Sequence, residues 1–252
     1  MTLEVCCGNL ESVHAAVKGG ARRIELCSAL ELDGLTPGTQ DLRIARQAYP
    51  DLTIHVLIRP RAGDFRYSEE EVALMEKQVE TALETGADGI VIGCLTPEGD
   101  VDEGAMHRLI QVISDWNLAR ELLKSDLCHS ANDTHFFPEQ KASASITFHR
   151  AFDRCRKPFE ALEHIVSLGC DRILTSGQAA TAEEGSDLLR ELHRRAKGRI
   201  VILPGGGVTP ENAARILAET GCTEIHASAS DIVDGRRVTS AGKVAAILEA
   251  IK

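Results

Sequence analysis

Aromatic residues make up only 4% of this 252-residue chain, and no apolar stretch approaches the 18 residues a spanning helix needs. Basic charge is also scarce: 28 Lys+Arg stand against 38 Asp+Glu, a net charge of −10. Nucleic acid and anionic membranes both require a basic footprint, so neither is expected as a partner. Cysteine is present but sparse, eight in the whole chain, which is too few for a disulfide scaffold. There is no Cys-x-x-Cys and no His-x-Cys cluster, and this argues against zinc. The opening "MTLEVCC" lacks the charged and apolar regions of a secretory signal, so a cytoplasmic location is expected.

What the sequence does contain is a rhythm. Strand-like runs begin at residues 3, 23, 53, 89, 145, 172, 199 and 224, from "LEVCC" through "RIELCS", "TIHVLIRP" and "GIVIGCL" to "EIHASA". Amphipathic stretches alternate with them, such as "NLESVHAAVKGG", in which Leu10, Val13, Ala16 and Val17 recur at helical spacing. Eight β/α units in this length predict an α/β fold, a single-domain (β/α)₈ TIM barrel spanning residues 1–252. A doubly wound sheet is the alternative. Residues 115–144, "DWNLARELLKSDLCHSANDTHFFPEQKASAS" and its flanks, are too long for an ordinary αβ connection and predict an insertion between helix 4 and strand 5.

Strand parity then sorts the side chains. In a barrel wrapped by helices, the apolar member of each alternating pair faces outward. Leu3, Val5 and Cys7 go out, and so do Ile24 and Leu26, leaving Glu4, Cys6, Glu25 and Cys27 inside. By the same rule His55, Leu57, Arg59, Thr147, His149, Glu224, His226 and Ser228 point inward. Buried charges must neutralise one another or serve a ligand. The structural alternative is an internal network pairing Glu4 and Glu25 with Arg59 and the histidines.

The functional alternative rests on position, because Cys27, Arg59, His149 and Ser228 fall toward the strand ends where barrel enzymes build their sites. Glu25, His149 and Asp153 are then candidate acid/base groups. Arg59 and Arg61, around the turn in "RPRAGDF", suit bidentate binding of a carboxylate or phosphate. Gly206 and Gly207 in "LPGGGVTPEN" lead into a helix N-terminus and add backbone donors for such an anion, although three glycines also make an ordinary tight turn.

Taken in order, "LEVCC", "RRIELCS", "DGLTPG", "IRPRAGDFRYSEEE", "TFHRAFDRC", "RILTSGQ", "PGGGV" and "EIHASA" resemble the CutC family of proposed copper homeostasis proteins. The resemblance covers every strand. It implies a TIM barrel, a cytoplasmic protein, formation of a homo-oligomer and a part in copper tolerance or trafficking. It also implies Cu(I) ligands in the first two strands, at positions matching Cys6 and Cys27. Soft Cu(I) prefers thiolates, and these two share inward parity on adjacent strands. Barrel strands contribute to alternate interior layers, however, so parity does not bring the sulfurs together. Two departures from the family pattern stand out: the 115–144 segment is long, and the stretch "DIVDGRRVTS" after strand 8 is too short to provide the arginine-bearing loop expected over the barrel mouth.

Two functions follow from different classes. One is copper homeostasis, with Cu(I) as ligand at Cys6 and Cys27. The other is a barrel enzyme acting on a small phosphate- or carboxylate-bearing anion.

Overall fold

The computed structural model describes residues 1–127 and 143–252. Eight parallel strands form its centre: β1 (Thr2–Cys7), β2 (Arg23–Leu26), β3 (Thr53–Leu57), β4 (Gly89–Ile92), β5 (Ser145–Phe148), β6 (Arg172–Thr175), β7 (Val201–Pro204) and β8 (Glu224–Ala227). Each strand is hydrogen-bonded to its sequence neighbour, and β8 returns to β1. The last seam, between β7 and β8, is a single parallel bridge from Gly205 to His226. A Cβ on Gly205 would stand 2.6 Å from Leu174 and 3.2 Å from His226, so glycine is what lets the two strands approach. The sheet therefore closes into a barrel, and the doubly wound alternative falls away.

Helices α1 (Leu10–Lys18), α2 (Thr39–Ala48), α3 (Glu69–Thr85), α4 (Glu103–Leu127), α5 (Pro158–Ser167), α6 (Ser186–Ala196), α7 (Ala213–Thr220) and α8 (Ala241–Ala250) surround it. Their starts follow local chemistry. Asn9 accepts from the Ser12 N–H ahead of α1, and Ser68 and Glu71 exchange side-chain and backbone bonds in a capping box ahead of α3. The main apolar core lies between helices and sheet and contains Leu3, Val5, Ile24, Leu26, Ile54 and Phe148, as parity requires. A separate small cluster of Cys27, Leu57 and Val91, flanked by Cys6 and Leu30, lies inside the barrel.

Two expectations change. Helix α4 continues to Leu127, so the first part of the expected 115–144 insertion is helix. Its remainder to residue 142 lies outside the described residues. The stretch after β8 forms an antiparallel hairpin, β9 (Ser230–Val233) with β10 (Arg236–Thr239), and it carries Arg237 to the barrel mouth. The short segment thus provides the arginine that its length argued against.

Candidate functional site at the barrel mouth

Ionic chemistry fills the barrel from its N-terminal end upward. Glu4, fully buried, lies 2.9 Å from Arg23 Nε, 2.7 Å from His55 Nδ1 and 3.0 Å from His226 Nδ1. Below it, Glu224 receives Arg23 at 2.5 Å and Arg172 at 3.0 Å. His226 reaches onward to Glu25 at 3.4 Å. Burial alone would raise the Glu4 carboxyl, but the charge of His55, hydrogen bonds from both histidines and Arg23 hold it well below its ordinary value.

The expected network therefore exists with a different arginine. Arg23 and Arg172 neutralise the carboxylates, whereas Arg59 takes no part. Its Nη1 donates to the carbonyls of Leu32 and Gly34 at 2.8 Å, its Nη2 to that of Gly63 at 2.9 Å, and its guanidinium stacks 5.1 Å from the Phe65 ring. These bonds make Arg59 a clamp on the mouth loops and leave Nε without a hydrogen-bond partner among the described residues.

Above the network the two cysteines meet. Cys6 is the register partner of Glu25, and Cys27 stands two residues further on, just past the end of β2, yet their sulfurs are only 3.6 Å apart. The stagger of neighbouring strands brings together what interior layering had left apart. Cys6, Glu25 and His226 also converge, with one potential ligand atom from each lying within 4.8 Å of the others. The hydrogen bond to Cys27, then burial, raise the Cys6 thiol well above its usual range. Burial pushes the Glu25 carboxyl up to about 7 despite the opposing charge of His226. For His226 burial opposes the charged ring, but contacts with Cys6, Glu4 and Glu25 outweigh it and hold the ring well above 6.5. Cys7, Cys94, Cys155, Cys170 and Cys222 are buried free thiols.

A cavity of about 840 Å³ opens above these groups. Cys6, Glu25 and His226 line it, together with Arg59, His149, Asp153, Gly206 and Gly207. His149 follows β5 and is 4% exposed. Its Nδ1 accepts from the Ala151 N–H at 3.1 Å, and its buried Nε2 has no hydrogen-bond partner among the described residues. Burial, reinforced by the charge of Arg59, lowers its pKa from 6.5 to about 3, so the ring is neutral. Backbone strain collects at the same mouth: Ala29 after β2 and Ala229 after β8 adopt left-handed φ values of 49° and 45°.

Two sequence-derived candidates change role. Arg61 turns away from the cavity to Glu71 at 2.5 Å and Asp64 at 3.1 Å, fixing the start of α3. Asp153 lines the cavity, but its carboxylate accepts from the Ser176 N–H at 3.1 Å, the Gln178 N–H at 3.2 Å, the Thr175 and Ser176 hydroxyls, and Arg150 Nε at 2.7 Å. It anchors the loop after β6 more than it faces a ligand. Arg150 and Arg237 were missed. Arg150 falls on a short 3₁₀ turn where strand parity no longer applies, and Arg237 belongs to the hairpin.

A family model described as the CutC family matches residues 1–122 and 130–231. The chain is 45% identical over 230 residues to a CutC family protein of Bacteroides fragilis, covering 91% of this chain and 80% of that protein. It is 42% identical over 226 residues to one of Vibrio vulnificus, covering 90% and 80%. The barrel superposes on the crystal structure of CutC from Streptococcus agalactiae, a protein with a proposed role in copper homeostasis, with a TM-score of 0.75 at 29% identity over 90% of this chain and 98% of that one. With a family match over nearly the whole length and curated relatives at 42% and 45% identity, the chain belongs to the CutC family.

Proposed function

We propose that the protein serves copper homeostasis by binding Cu(I) at Cys6 and Cys27. The supporting observation is the 3.6 Å separation of the two sulfurs. One ion can touch both, since two thiolate–metal bonds of about 2.3 Å reach across up to about 4.6 Å. His226 and Glu25 offer further ligand atoms beside Cys6. A thiol pair with a neighbouring imidazole suits a soft monovalent ion. Because Cys6 lines the cavity, an ion has a path from the mouth to the sulfurs. The raised Cys6 thiol is protonated before ligation, so binding releases a proton to solvent. The name of the Streptococcus agalactiae relative points the same way. A reducing cytoplasm, where the thiols stay free, and assembly into a homo-oligomer belong to this reading.

The test is Cu(I) titration of the reduced protein under a competing chelator, comparing wild type with Cys6→Ala and Cys27→Ala. One tight equivalent, lost in both variants, is expected. Weak binding indifferent to either substitution would dismiss the thiol site.

The cavity itself favours a second reading, a barrel enzyme acting on a small anion. In that reading Glu25, with its pKa raised to about 7, exchanges protons with the substrate, and neutral His149 offers a hydrogen bond.

A further inference from the structure

We propose that the cavity at the barrel mouth binds a small organic phosphate monoester, its phosphate seated on the Gly206–Gly207 turn beneath Arg150 and Arg237. The proposal rests on the small-anion reading and names its ligand class; it is independent of copper.

Charge is the first observation. The chain carries a net −10, yet the cavity wall holds five arginines (Arg59, Arg66, Arg150, Arg154, Arg237) against four acids (Glu25, Asp33, Asp64, Asp153). Asp64 is answered by Arg66 at 2.5 Å and Asp153 by Arg150 at 2.7 Å. Arg154 and Arg237 have no carboxylate partner among the described residues. A cavity that reverses the sign of its protein draws in anions.

Donor geometry is the second. Arg150 is held by two of its nitrogens, Nε on Asp153 and Nη2 on Ser176 Oγ at 2.9 Å. Its Nη1 has no hydrogen-bond partner among the described residues and lies 3.3 Å from where a Cβ on Gly206 would stand. The guanidinium is thus fixed over the turn with a donor to spare. Gly206 and Gly207 adopt φ values of 102° and 70°, and a side chain on Gly207 would meet Thr181 at 2.8 Å. Among the described residues the Gly207 N–H has no acceptor. A free N–H in the turn, with the guanidinium held above it, forms an anion cradle.

His149 is the third and independent observation. Since Nδ1 accepts from Ala151, the neutral ring carries its proton on Nε2, a buried donor with no acceptor among the described residues. His149 lines the cavity, and a ligand oxygen that reached Nε2 would satisfy it. The volume of about 840 Å³ leaves room for an organic body between the turn and His149. A phosphate, with three terminal oxygens and close to two charges, uses the cradle and two arginines more fully than a carboxylate does.

The experiment is calorimetric titration of the metal-free full chain with glycerol 3-phosphate, inorganic phosphate, glycerate and glycerol, with phosphorus NMR as a second readout. Glycerol 3-phosphate should bind about tenfold or more tightly than glycerate, and Arg150→Lys and Arg237→Ala, checked for unchanged melting temperature, should each weaken it about tenfold. Glycerate binding as tightly as glycerol 3-phosphate would overturn the phosphate assignment and spare the small-anion reading. No binding of any of the three anions at millimolar concentration would overturn both. Undiminished phosphate binding in both arginine variants would overturn the placement on the turn.

Discussion

His226 Nδ1 lies 3.0 Å from Glu4, and this contact joins the groups beneath the cavity to the ion pairs that close the other end of the barrel. Glu4 is the shared acceptor for His226, His55 and Arg23. Removing it strands those groups in a buried interior, where an uncompensated charge costs about 3–5 kcal/mol. Glu4→Ala is expected to lower unfolding stability by about that amount, and the neutral, isosteric Glu4→Gln by less. Urea denaturation of the two variants measures it; a loss below about 1 kcal/mol in Glu4→Ala would show that the network reorganises around the gap.

His149 gives the fold a defined acid sensitivity. In the unfolded chain the ring takes up a proton near pH 6.5, whereas in the folded barrel it does so only near 3. Between these values the unfolded state binds more protons, so stability is full above 6.5, falls as pH drops through the window and levels off near 3. The slope is up to about 1.4 kcal/mol per pH unit. Wild type should therefore lose stability relative to His149→Gln, which does not titrate, when denaturation is compared at about pH 7.5 and about pH 5.5. Parallel losses in the two proteins would place the sensitivity elsewhere.

Strand parity carried most of what the sequence revealed about this interior. Alternation placed Glu4, Cys6, Glu25, Cys27 and His149 inward because helices cover the outer face of every strand and the apolar member of each pair packs against them. Arg23 was within reach of the same rule, sharing parity with Glu25 and Cys27, but it sits at the first position of β2, where the pattern begins. Arg59 and Arg61 illustrate the limit. Both lie beyond the end of β3, and in loops the hydrogen-bond acceptors that happen to be near, here backbone carbonyls and Glu71, decide where a guanidinium turns. The meeting of the two sulfurs was likewise invisible, since it depends on strand stagger, a property of barrel closure that no single strand encodes.

Gly93 sets the position of His149. A Cβ at this residue would lie 2.7 Å from the Cε1 and Nδ1 atoms of the imidazole and 3.2 Å from Ala151. Gly93→Ala should therefore push the ring off the Ala151 N–H and cost about 1–3 kcal/mol, the usual range for overpacking a filled site. Nitrogen NMR of the imidazole gives the more specific readout, because losing the bond at Nδ1 removes what fixes the proton on Nε2. An unchanged tautomer with unchanged stability would mean that the strand end relaxes around the methyl group.

Asp153 tests the difference between an anchoring and a catalytic carboxylate. Two backbone N–H groups, two hydroxyls and Arg150 Nε already converge on it. A carboxylate offers roughly four lone-pair sites, so little capacity remains for a substrate proton. Asp153→Asn replaces one acceptor oxygen with a donor that faces other donors, and the loss should be about 1–3 kcal/mol of stability. Freed from its partner, Arg150 would no longer be held over Gly206, and glycerol 3-phosphate binding should weaken as it does in Arg150→Lys. Cu(I) binding should persist, because Cys6 lies in β1 and Cys27 just past β2, away from the loop that Asp153 anchors. Full stability and full phosphate binding in Asp153→Asn would instead show that the carboxylate is not needed to anchor the loop or to hold Arg150.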